Sequence, residues 1–381
     1  MTLIDTMISP FSRRLSCTPM ISGRHMSVRP AKHPPPSSSS TSHKKTTIAN
    51  LLALRASKTP ITVLTAYDYP TALACSAHPV DITLVGDSLA QVCLGYPSTT
   101  RLTLDEMLHH CRAVARGTSS PLLVADMPFG TYAAGISDGV KAGVRLVQEG
   151  HVESVKLEGG EEVVEHVRAL TKMGVPVMGH IGLLPQRHVS LSGYRVQGRT
   201  ADAAIKLLRA ARALEDAGAF SIVLEAMPNL LGAYITENLR VPTIGIGAGL
   251  GTNGQVLVWD DMIGTWSGHK PRFVRHFADV RKEVARGVAG YVNAVKDGTF
   301  PDPDREGYDM DHGEWEKFLV AEETPGWTWS PTTLSNIPTQ ETISTEQKHQ
   351  QPTQAHPLST MQSHDPTSPH TSEVRENFAT P

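Results

Sequence analysis

Short apolar runs alternate with helical patterns between Ile48 and Pro303. Turn residues precede most of these runs, and Gly, Pro or Asp follows most of them, which is typical of buried parallel strands. The pattern therefore predicts eight strands. Their sequences are ITVLTAYD (61–68), ITLVGDS (82–88), LLVADMP (122–128), SVKLEGG (154–160), PVMGHIG (176–182), SIVLEAM (221–227), PTIGIGAG (242–249) and QVLVWDDM (255–262).

Helical periodicity fills most of the segments between these runs. Thr103 and Glu106 form a capping-box pattern at the start of one helix, and Gly117 closes that helix. The connection after the seventh run is short, so one helix is predicted to be weak or missing there. Helices are predicted over 103–117, 138–149, 161–174 and 201–217.

Eight strands with crossover helices in about 250 residues predict an α/β fold, the (β/α)8 TIM barrel. A doubly wound open sheet is the competing fold, because GIGAGLG (245–251) resembles a dinucleotide-binding loop. Those glycines fall late in the chain, their spacing is imperfect, and no clear helix begins after Gly251. The barrel is therefore favoured.

The two ends of the chain differ in composition from the middle. Residues 1–46 are basic, rich in serine and poor in acids, which is typical of a mitochondrial transit peptide, although a disordered basic arm has the same composition. Residues 304–381 are predicted to be polar and largely disordered, because few aliphatic side chains remain beyond Thr324. The expected organisation is a targeting segment, a barrel domain over 47–303 and a tail.

The overall composition narrows the classes of partner. The chain has 381 residues, of which 40% are hydrophobic, and a formal net charge of −3. This balance gives no reason to expect nucleic acid or an anionic membrane as a partner. No run approaches the roughly 18 apolar residues that a membrane helix needs. The four cysteines show no CxxC spacing, so we interpret them as free thiols in a reducing compartment.

Acidic residues recur near the carboxyl ends of the predicted strands. In a barrel these ends meet at one mouth, where active sites are built. Several carboxylates in one partly buried place repel each other unless a cation neutralises them. Oxygen ligands without a cluster of His or Cys point to a hard ion, most simply Mg²⁺. The acids are Asp68, Asp87, Asp126, Glu158 and Glu225.

Helix capping is the alternative interpretation of each acid. It fits a lone aspartate at a strand end, such as Asp68 or Asp87. It fits Glu158 and Glu225 poorly, because each lies inside an apolar strand. Lys156 precedes Glu158 by two positions and points to the same side of the strand. A lysine inside a barrel needs a reason, and an anionic ligand supplies one.

His180 has two interpretations, a core histidine with satisfied hydrogen bonds or a donor to a substrate oxygen at the barrel mouth. Glu225 is not needed for metal and is free to act as a base. A proton removed next to a metal-bound carbonyl gives an enolate that Mg²⁺ stabilises. The residues alone thus indicate a Mg²⁺-dependent barrel enzyme that acts on an oxygen-rich anion.

Eight motifs follow one another along the middle of the chain. They are TAYDYPTA (65–72), VGDSLAQVCLG (85–95), ADMPFGTY (125–132), VKLEGGEE (155–162), GHIGLLPQ (179–186), GYRVQGR (193–199), VLEAMP (223–228) and GIGAG (245–249). Together they closely resemble the ketopantoate hydroxymethyltransferase family, from about Thr47 to Pro301. Eight motifs in one order make this resemblance highly specific.

The resemblance implies a barrel of the phosphoenolpyruvate/pyruvate type and the first committed step of pantothenate synthesis. In that step a hydroxymethyl group passes from 5,10-methylenetetrahydrofolate to 3-methyl-2-oxobutanoate, through a Mg²⁺-stabilised enolate, and gives 2-dehydropantoate. The basic N-terminal extension resembles that of eukaryotic mitochondrial members, so a mitochondrial location is expected. Bacterial members are ring-like decamers, and a homo-oligomer is therefore expected.

Matching positions carry the family's roles over to this chain. Glu225 matches the general base that takes the C3 proton, and His180 would lie near the newly formed hydroxyl. The positions that match the Mg²⁺ site are Asp87, Asp126 and, directly or through water, Glu158. The positions that match the contacts to the oxo acid are Asp87, Ser88, Asp126 and Lys156.

Two residues depart from the family pattern. Asn253 stands where many members carry Asp, and Asp260 stands where His is common. Both lie outside the predicted metal set. They put in question the contacts to folate or the packing of loops, and leave the predicted chemistry unchanged.

Two other functions compete with this one. A Mg²⁺-dependent carbon–carbon lyase of the isocitrate lyase superfamily would need a catalytic cysteine in a KKCGH-like loop, and the sequence has no such stretch. A non-catalytic barrel that binds oxo acids or folate would not need the buried charges of Lys156, Glu158 and Glu225. The transferase is therefore the favoured function.

Overall fold

Each of the eight apolar runs forms a strand in the computed structural model, which describes residues 44–322. The strands are parallel and pair in chain order, and the eighth pairs with the first, so that the sheet closes into a barrel. This confirms the predicted (β/α)8 barrel. The strands are β1 (Ile61–Thr65), β2 (Ile82–Val85), β3 (Leu122–Asp126), β4 (Ser154–Glu158), β5 (Val177–Gly182), β6 (Ser221–Glu225), β7 (Thr243–Ile246) and β8 (Gly254–Leu257).

Helices connect most of the strands, and their limits follow local sequence signals. The capping box is present, because Thr103 Oγ1 accepts a hydrogen bond from the Glu106 N–H and Glu106 Oε2 accepts one from the Thr103 N–H. No helix separates β7 from β8, as the short connection predicts. The helices are α1 (Ile48–Ala56), α2 (Tyr69–Ala77), α3 (Leu89–Val92), α4 (Leu104–Gly117), α5 (Ile136–Gln148), α6 (Val164–Lys172), α7 (Ala201–Asp216), α8 (Asn229–Glu237), α9 (Trp259–Ile263), α10 (Val280–Lys296), α11 (Pro303–Glu306) and α12 (His312–Ala321).

Alternation along each strand separates the barrel interior from the face that the helices cover. On β3, Val124 belongs to the apolar cluster inside the barrel, and Asp126 is the next residue on the same side. On β4, Leu157 packs into the layer between strands and helices, so its neighbours Lys156 and Glu158 face inward. The interior therefore changes from apolar to charged towards the carboxyl ends of the strands.

The chain divides into two compact units between Val292 and Asn293, and the barrel belongs to the first. The described part of the second unit, 293–322, contains the end of α10 together with α11 and α12. Helix α12 falls within the predicted tail, 304–381, and its Trp315 and Phe318 rings stack at 5.3 Å. The rest of that segment, from 323 onwards, lies outside the described residues.

The predicted targeting segment also lies largely outside the described residues, since 1–43 are not among them. Its last residues run along the amino end of β3, where Thr46 N donates to Ser120 O over 2.7 Å and Lys45 Nζ contacts Glu153 at 2.5 Å. Between residues 44 and 322, no helix is long and apolar enough to cross a membrane.

Candidate active site

The seven residues predicted for the site line one cavity of about 310 Å³ at the carboxyl ends of the strands. Strand geometry brings them together, because three of the acids are the last residues of β3, β4 and β6. The seven are Asp87, Ser88, Asp126, Lys156, Glu158, His180 and Glu225. Asp68 is not among them. Its carboxylate caps α2 by accepting a hydrogen bond of 2.9 Å from the Thr71 N–H, so the capping interpretation is correct there.

Lys156 and Asp126 form a buried ion pair on the floor of this cavity. They are register partners on β3 and β4, and Lys156 Nζ lies 3.0 Å from Asp126 Oδ1. The other oxygen, Asp126 Oδ2, accepts a hydrogen bond of 2.9 Å from the backbone N–H of Asp87. Burial disfavours the charge of Lys156, but the surrounding carboxylates, Asp126 first, outweigh burial and raise the pKa of the lysine.

Gln186 belongs to the site, and the sequence interpretation gave it no role. Its Nε2 donates to Asp87 Oδ2 over 2.8 Å and to the carbonyl oxygen of Met127 over 3.0 Å. Its Oε1 accepts from the Tyr132 hydroxyl over 2.8 Å, and its backbone N–H donates to Glu158 Oε2 over 3.1 Å. A single residue thus orients two of the predicted metal carboxylates. Its place in the GHIGLLPQ motif was the signal that could have revealed it.

Burial raises the pKa of three carboxyl groups that face the cavity. The pKa of Asp87 rises to about 7, through burial first and then the charge of Asp126. The pKa of Glu158 rises well above its ordinary value for the same kind of reason, and burial raises the pKa of Glu225 to about 8. Lys156 is the only lysine or arginine among the described residues that line the cavity. The cavity is therefore short of positive charge.

His180 lies between Lys156 and Glu225. Its Nδ1 is 3.1 Å from Lys156 Nζ, and because an ammonium group only donates, Nδ1 is the acceptor and the proton of the neutral ring is on Nε2. Burial, with the charge of Lys156, holds the pKa of His180 well below its usual range, so the ring is neutral. Its Nε2 lies 3.1 Å from Glu225 Oε2, although the pair is not aligned as a hydrogen bond. The predicted contact of His180 with a new hydroxyl stays a prediction.

The Ser88 hydroxyl is anchored by a chain of hydrogen bonds that runs along one side of the cavity. Its Oγ lies 2.8 Å from the Tyr67 hydroxyl, to which Thr65 Oγ1 donates over 2.8 Å. The backbone N–H of Trp259 donates in turn to Thr65 Oγ1 over 2.7 Å. Ser88 does not cap α3 through its side chain. Its hydroxyl is therefore positioned by β1 and the start of α9.

The two residues that depart from the family pattern make structural contacts. Asn253 Oδ1 accepts a hydrogen bond of 3.0 Å from the Thr243 N–H, and its carbonyl oxygen accepts one of 2.9 Å from the Ile61 N–H. Asp260 accepts a hydrogen bond from the Thr265 hydroxyl. Neither belongs to the described residues that line the cavity. In this chain both serve the packing of strands and loops.

The donor set of the cavity fits a hard cation. Asp87, Asp126 and Glu158 offer carboxylate oxygens, and their charge exceeds that of the single lysine. Between residues 44 and 322, no three His, Cys, Asp or Glu side chains form a ready ligand cluster. Mg²⁺ usually takes one or two protein carboxylates and completes its shell with water and substrate oxygens. The arrangement can thus receive Mg²⁺ and an oxygen-rich anion beside a base.

The fold and the site together define the class of the protein, a TIM-barrel enzyme with a carboxylate-lined cavity for a small anion. The model of the family described as ketopantoate hydroxymethyltransferase matches residues 45–303 of the chain. The chain belongs to this family. The resemblance inferred from the eight motifs is therefore confirmed.

Curated relatives match the chain over most of their own length. A 3-methyl-2-oxobutanoate hydroxymethyltransferase of Nitratidesulfovibrio vulgaris is 46% identical over 301 residues, which are 78% of this chain and 98% of the relative. The enzyme of that name from Emericella nidulans is 45% identical over 278 residues, 72% of this chain and 80% of the relative. A solved structure of phosphonopyruvate hydrolase with oxalate and Mg²⁺ is similar at a TM-score of 0.45 and 14% identity, over 73% of this chain and 96% of that one.

Proposed function

We propose that this chain transfers a hydroxymethyl group from 5,10-methylenetetrahydrofolate to 3-methyl-2-oxobutanoate and releases 2-dehydropantoate, a step of pantothenate biosynthesis. Family membership and the names of the curated relatives support this proposal. The observation that carries it is the Glu225 carboxyl group, which faces the same cavity as the Lys156–Asp126 pair. A base and an anion-binding lysine in one largely buried cavity suit the removal of a proton next to the carbonyl of an oxo acid.

Lys156 is suited to receive an oxygen of the oxo acid. An ammonium group has three donors. Among the described contacts of Lys156, one donor serves His180 Nδ1, and Asp126 Oδ1 lies 3.0 Å from Nζ as the partner of an ion pair and takes up a second. The third remains for the substrate carboxylate or the 2-oxo oxygen. The hydroxyl of Ser88 lines the same cavity and offers a second polar contact to the bound anion. Together these two groups would fix the orientation of the oxo acid.

The residues that would hold Mg²⁺ are Asp87, Asp126 and Glu158, as the family resemblance implies. Mg²⁺ bound there would draw electron density from the oxygens of the oxo acid and make its C3 proton more acidic. Gln186 engages one oxygen of Asp87 and one of Glu158. The second oxygen of each carboxylate therefore remains available to face the cation.

Glu225 would take the C3 proton. A carboxyl group whose pKa is about 8 is a stronger base than an ordinary carboxylate, and near neutral pH part of it is ionised. Because His180 Nε2 lies 3.1 Å from Glu225 Oε2 and occupies the space beside that oxygen, the proton would arrive at Oε1. The carbanion character that develops at C3 would then form a bond to the methylene carbon of the folate, with the negative charge of the oxo acid held near Lys156. The two bonds from that carbon to the folate nitrogens break, water supplies the hydroxyl group, and tetrahydrofolate leaves.

The activity can be tested with the purified full-length chain. Incubation with Mg²⁺, 3-methyl-2-oxobutanoate and 5,10-methylenetetrahydrofolate should give 2-dehydropantoate, detected by mass spectrometry. Omitting either substrate should abolish the product. Cleavage of the oxo acid without use of the folate would favour the competing lyase function instead.

The location and assembly of the chain are proposed on the sequence and family alone. The basic composition of residues 1–46 supports import into mitochondria, and the decameric bacterial members support a homo-oligomer. A full-length fusion to a C-terminal fluorescent protein should localise to mitochondria, and exchange of the arginines in 1–46 for serine should leave it in the cytosol. Sedimentation of the purified chain at the monomer mass would contradict the oligomer.

A further inference from the structure

The cavity has a charged floor and an aromatic outer part. The side chains of the floor are almost fully buried, with Asp126 and Lys156 at 4% and 7% exposure. Three aromatic side chains line the cavity nearer to solvent, since Tyr194 is 54% exposed and Trp266 and Phe273 are half-buried. A small oxo acid binds through the charged groups of the floor and does not require contact with these rings. The outer part therefore has space and chemistry for a second, flat ligand.

We propose that Tyr194, Trp266 and Phe273, here called the aromatic collar, bind the ring system of the reduced-folate co-substrate. This inference rests on the proposed function and adds to it the place of the co-substrate. A pterin and an aminobenzoyl ring are flat and stack on aromatic side chains. Bound in the collar, they would place the one-carbon unit over the oxo acid on the floor.

Stacking on His188 and a hydrogen bond between its hydroxyl and Gln91 hold Tyr194 in place. Its ring stacks on His188, with centroids 5.5 Å apart and planes 8° apart. The turn between them closes when the Gly193 N–H donates to the His188 carbonyl oxygen over 2.7 Å, and Gly193 has a φ of 101°, which favours glycine. One face of the Tyr194 ring is thus covered, and the other remains available to a ligand.

The other two rings of the collar, Trp266 and Phe273, pack against glycines. A Cβ atom on Gly247 would approach the Phe273 ring to 2.7 Å, and Gly247 also has a φ of 67°. A Cβ atom on Gly268 would approach the Trp266 ring to 2.3 Å. Both rings therefore lie directly against glycine backbone. This gives a physical reason for the middle glycine of the GIGAG motif, which the proposed chemistry does not use.

The segment that carries the collar residues Trp266 and Phe273 is basic. Its side chains His269, Lys270 and Arg272 are exposed, and His269 itself lines the cavity. A folate combines flat rings with a tail of glutamate carboxylates. Basic side chains beside an aromatic wall match both parts of such a ligand. The composition of this loop therefore favours a folate over a neutral aromatic ligand.

Two assays on full-length enzyme separate this inference from the proposed function. Exchange of the C3 proton of the oxo acid with solvent needs the floor but no folate, whereas binding of tetrahydrofolate in equilibrium dialysis needs no turnover. Tyr194→Ala should weaken tetrahydrofolate binding and raise the KM for the methylene form by about tenfold, as expected for loss of one stacking partner. Its exchange rate should stay within about twofold of the wild type.

Three further variants complete the test. Tyr194→Phe keeps the ring and should bind tetrahydrofolate normally, and Tyr234→Ala, which alters a tyrosine of equal exposure on α8 (53%), should do the same. Trp266→Leu should also weaken tetrahydrofolate binding. The test then does not depend on a single variant that could fold poorly at its site. Unchanged tetrahydrofolate binding in both Tyr194→Ala and Trp266→Leu, or no binding by the wild type, would overturn the inference. Equal losses of binding and of exchange in both variants would also overturn it.

Discussion

Gln186 donates a hydrogen bond of 2.8 Å to Asp87, a residue 99 positions earlier in the chain. The same amide is fixed in orientation, because its Oε1 accepts from the Tyr132 hydroxyl while its Nε2 also donates to the Met127 carbonyl oxygen. Asp87 therefore has one defined orientation at the cavity wall. This makes Gln186 a positioning residue for the proposed cation site.

Replacement of Gln186 by Leu should weaken Mg²⁺ binding by about tenfold, the size of one lost hydrogen bond to a charged group. Asp87 would lose its restraint, and Glu158 would keep its backbone partner. Isothermal titration of Mg²⁺ into the variant measures the change without any turnover. Gln148→Leu, at an exposed position on α5, is the matched control. Identical Mg²⁺ affinity in the Gln186 variant would show that the amide serves packing alone.

Replacement of Lys156 by Met should destabilise the protein by about 3 kcal/mol, because it leaves Asp126 buried without a counter-charge. Urea unfolding at neutral pH measures the change in the free energy of unfolding. A second exchange, Asp126→Asn, should recover part of the loss. Lys45→Met breaks the exposed pair with Glu153 and should cost less than about 1 kcal/mol. Equal losses of unfolding free energy in Lys156→Met and Lys45→Met would contradict a buried ion pair between Lys156 and Asp126.

Stability should fall as the pH rises when no divalent cation is present. The ordinary pKa of glutamate is 4.5, and in the folded protein Glu225 titrates at about 8, so the folded chain binds more protons than the unfolded chain between these values. The contribution of Glu225 to the free energy of unfolding is therefore fully present below pH 4.5. It is lost as the pH rises through that window, by about 1.4 kcal/mol per pH unit.

Thermal unfolding in a chelator at pH 5.5 and pH 8.5 tests this pH dependence. The midpoint should drop towards pH 8.5, and the drop should be smaller in Glu225→Gln and on addition of Mg²⁺. Glu237→Gln, at an exposed position on α8, should behave as the wild type. A midpoint that rises with pH over this window would have the wrong sign for a buried acid.

His180 should tune the basicity of Glu225. Its Nε2 lies 3.1 Å from Glu225 Oε2 without the alignment of a hydrogen bond. A small turn of the ring when the oxo acid binds would make Nε2–H a donor to Oε2, and a donor favours the ionised form of a carboxyl group. His180→Leu removes the donor, so the pH at which solvent exchange of the C3 proton reaches half its maximum should rise by about half a pH unit or more. His180→Gln, which keeps an N–H donor, should bring this pH part of the way back. A lower rate with an unchanged pH midpoint would assign His180 to substrate contact alone.

The barrel and most of its site could be predicted because both follow from local patterns. Continuous apolar runs fix the strands, and alternation then decides which side of each strand a charged residue occupies. Lys156 and Glu158 face the interior for this reason, two positions apart on β4. Asp68 shows the limit of the pattern, because a strand-end acid that caps a helix has the same local sequence context as one that faces the cavity.

Contacts that join distant segments could not be predicted in this way. Gln186 lies on a short turn after β5, and only the closed barrel brings its amide to Asp87. The position of His180 between Lys156 and Glu225 depends on side-chain orientation across three neighbouring strands. No periodicity in the sequence encodes either contact.

Solvent exchange at C3 of 3-methyl-2-oxobutanoate tests the role of Glu225 most directly. In deuterated buffer with Mg²⁺, the wild type and the control Glu237→Gln should exchange this proton, as followed by NMR. Glu225→Gln should exchange about a thousandfold more slowly, while calorimetry shows that it still binds Mg²⁺ and the oxo acid. Exchange by Glu225→Gln at the wild-type rate, or no exchange by the wild type with Mg²⁺ present, would contradict the account.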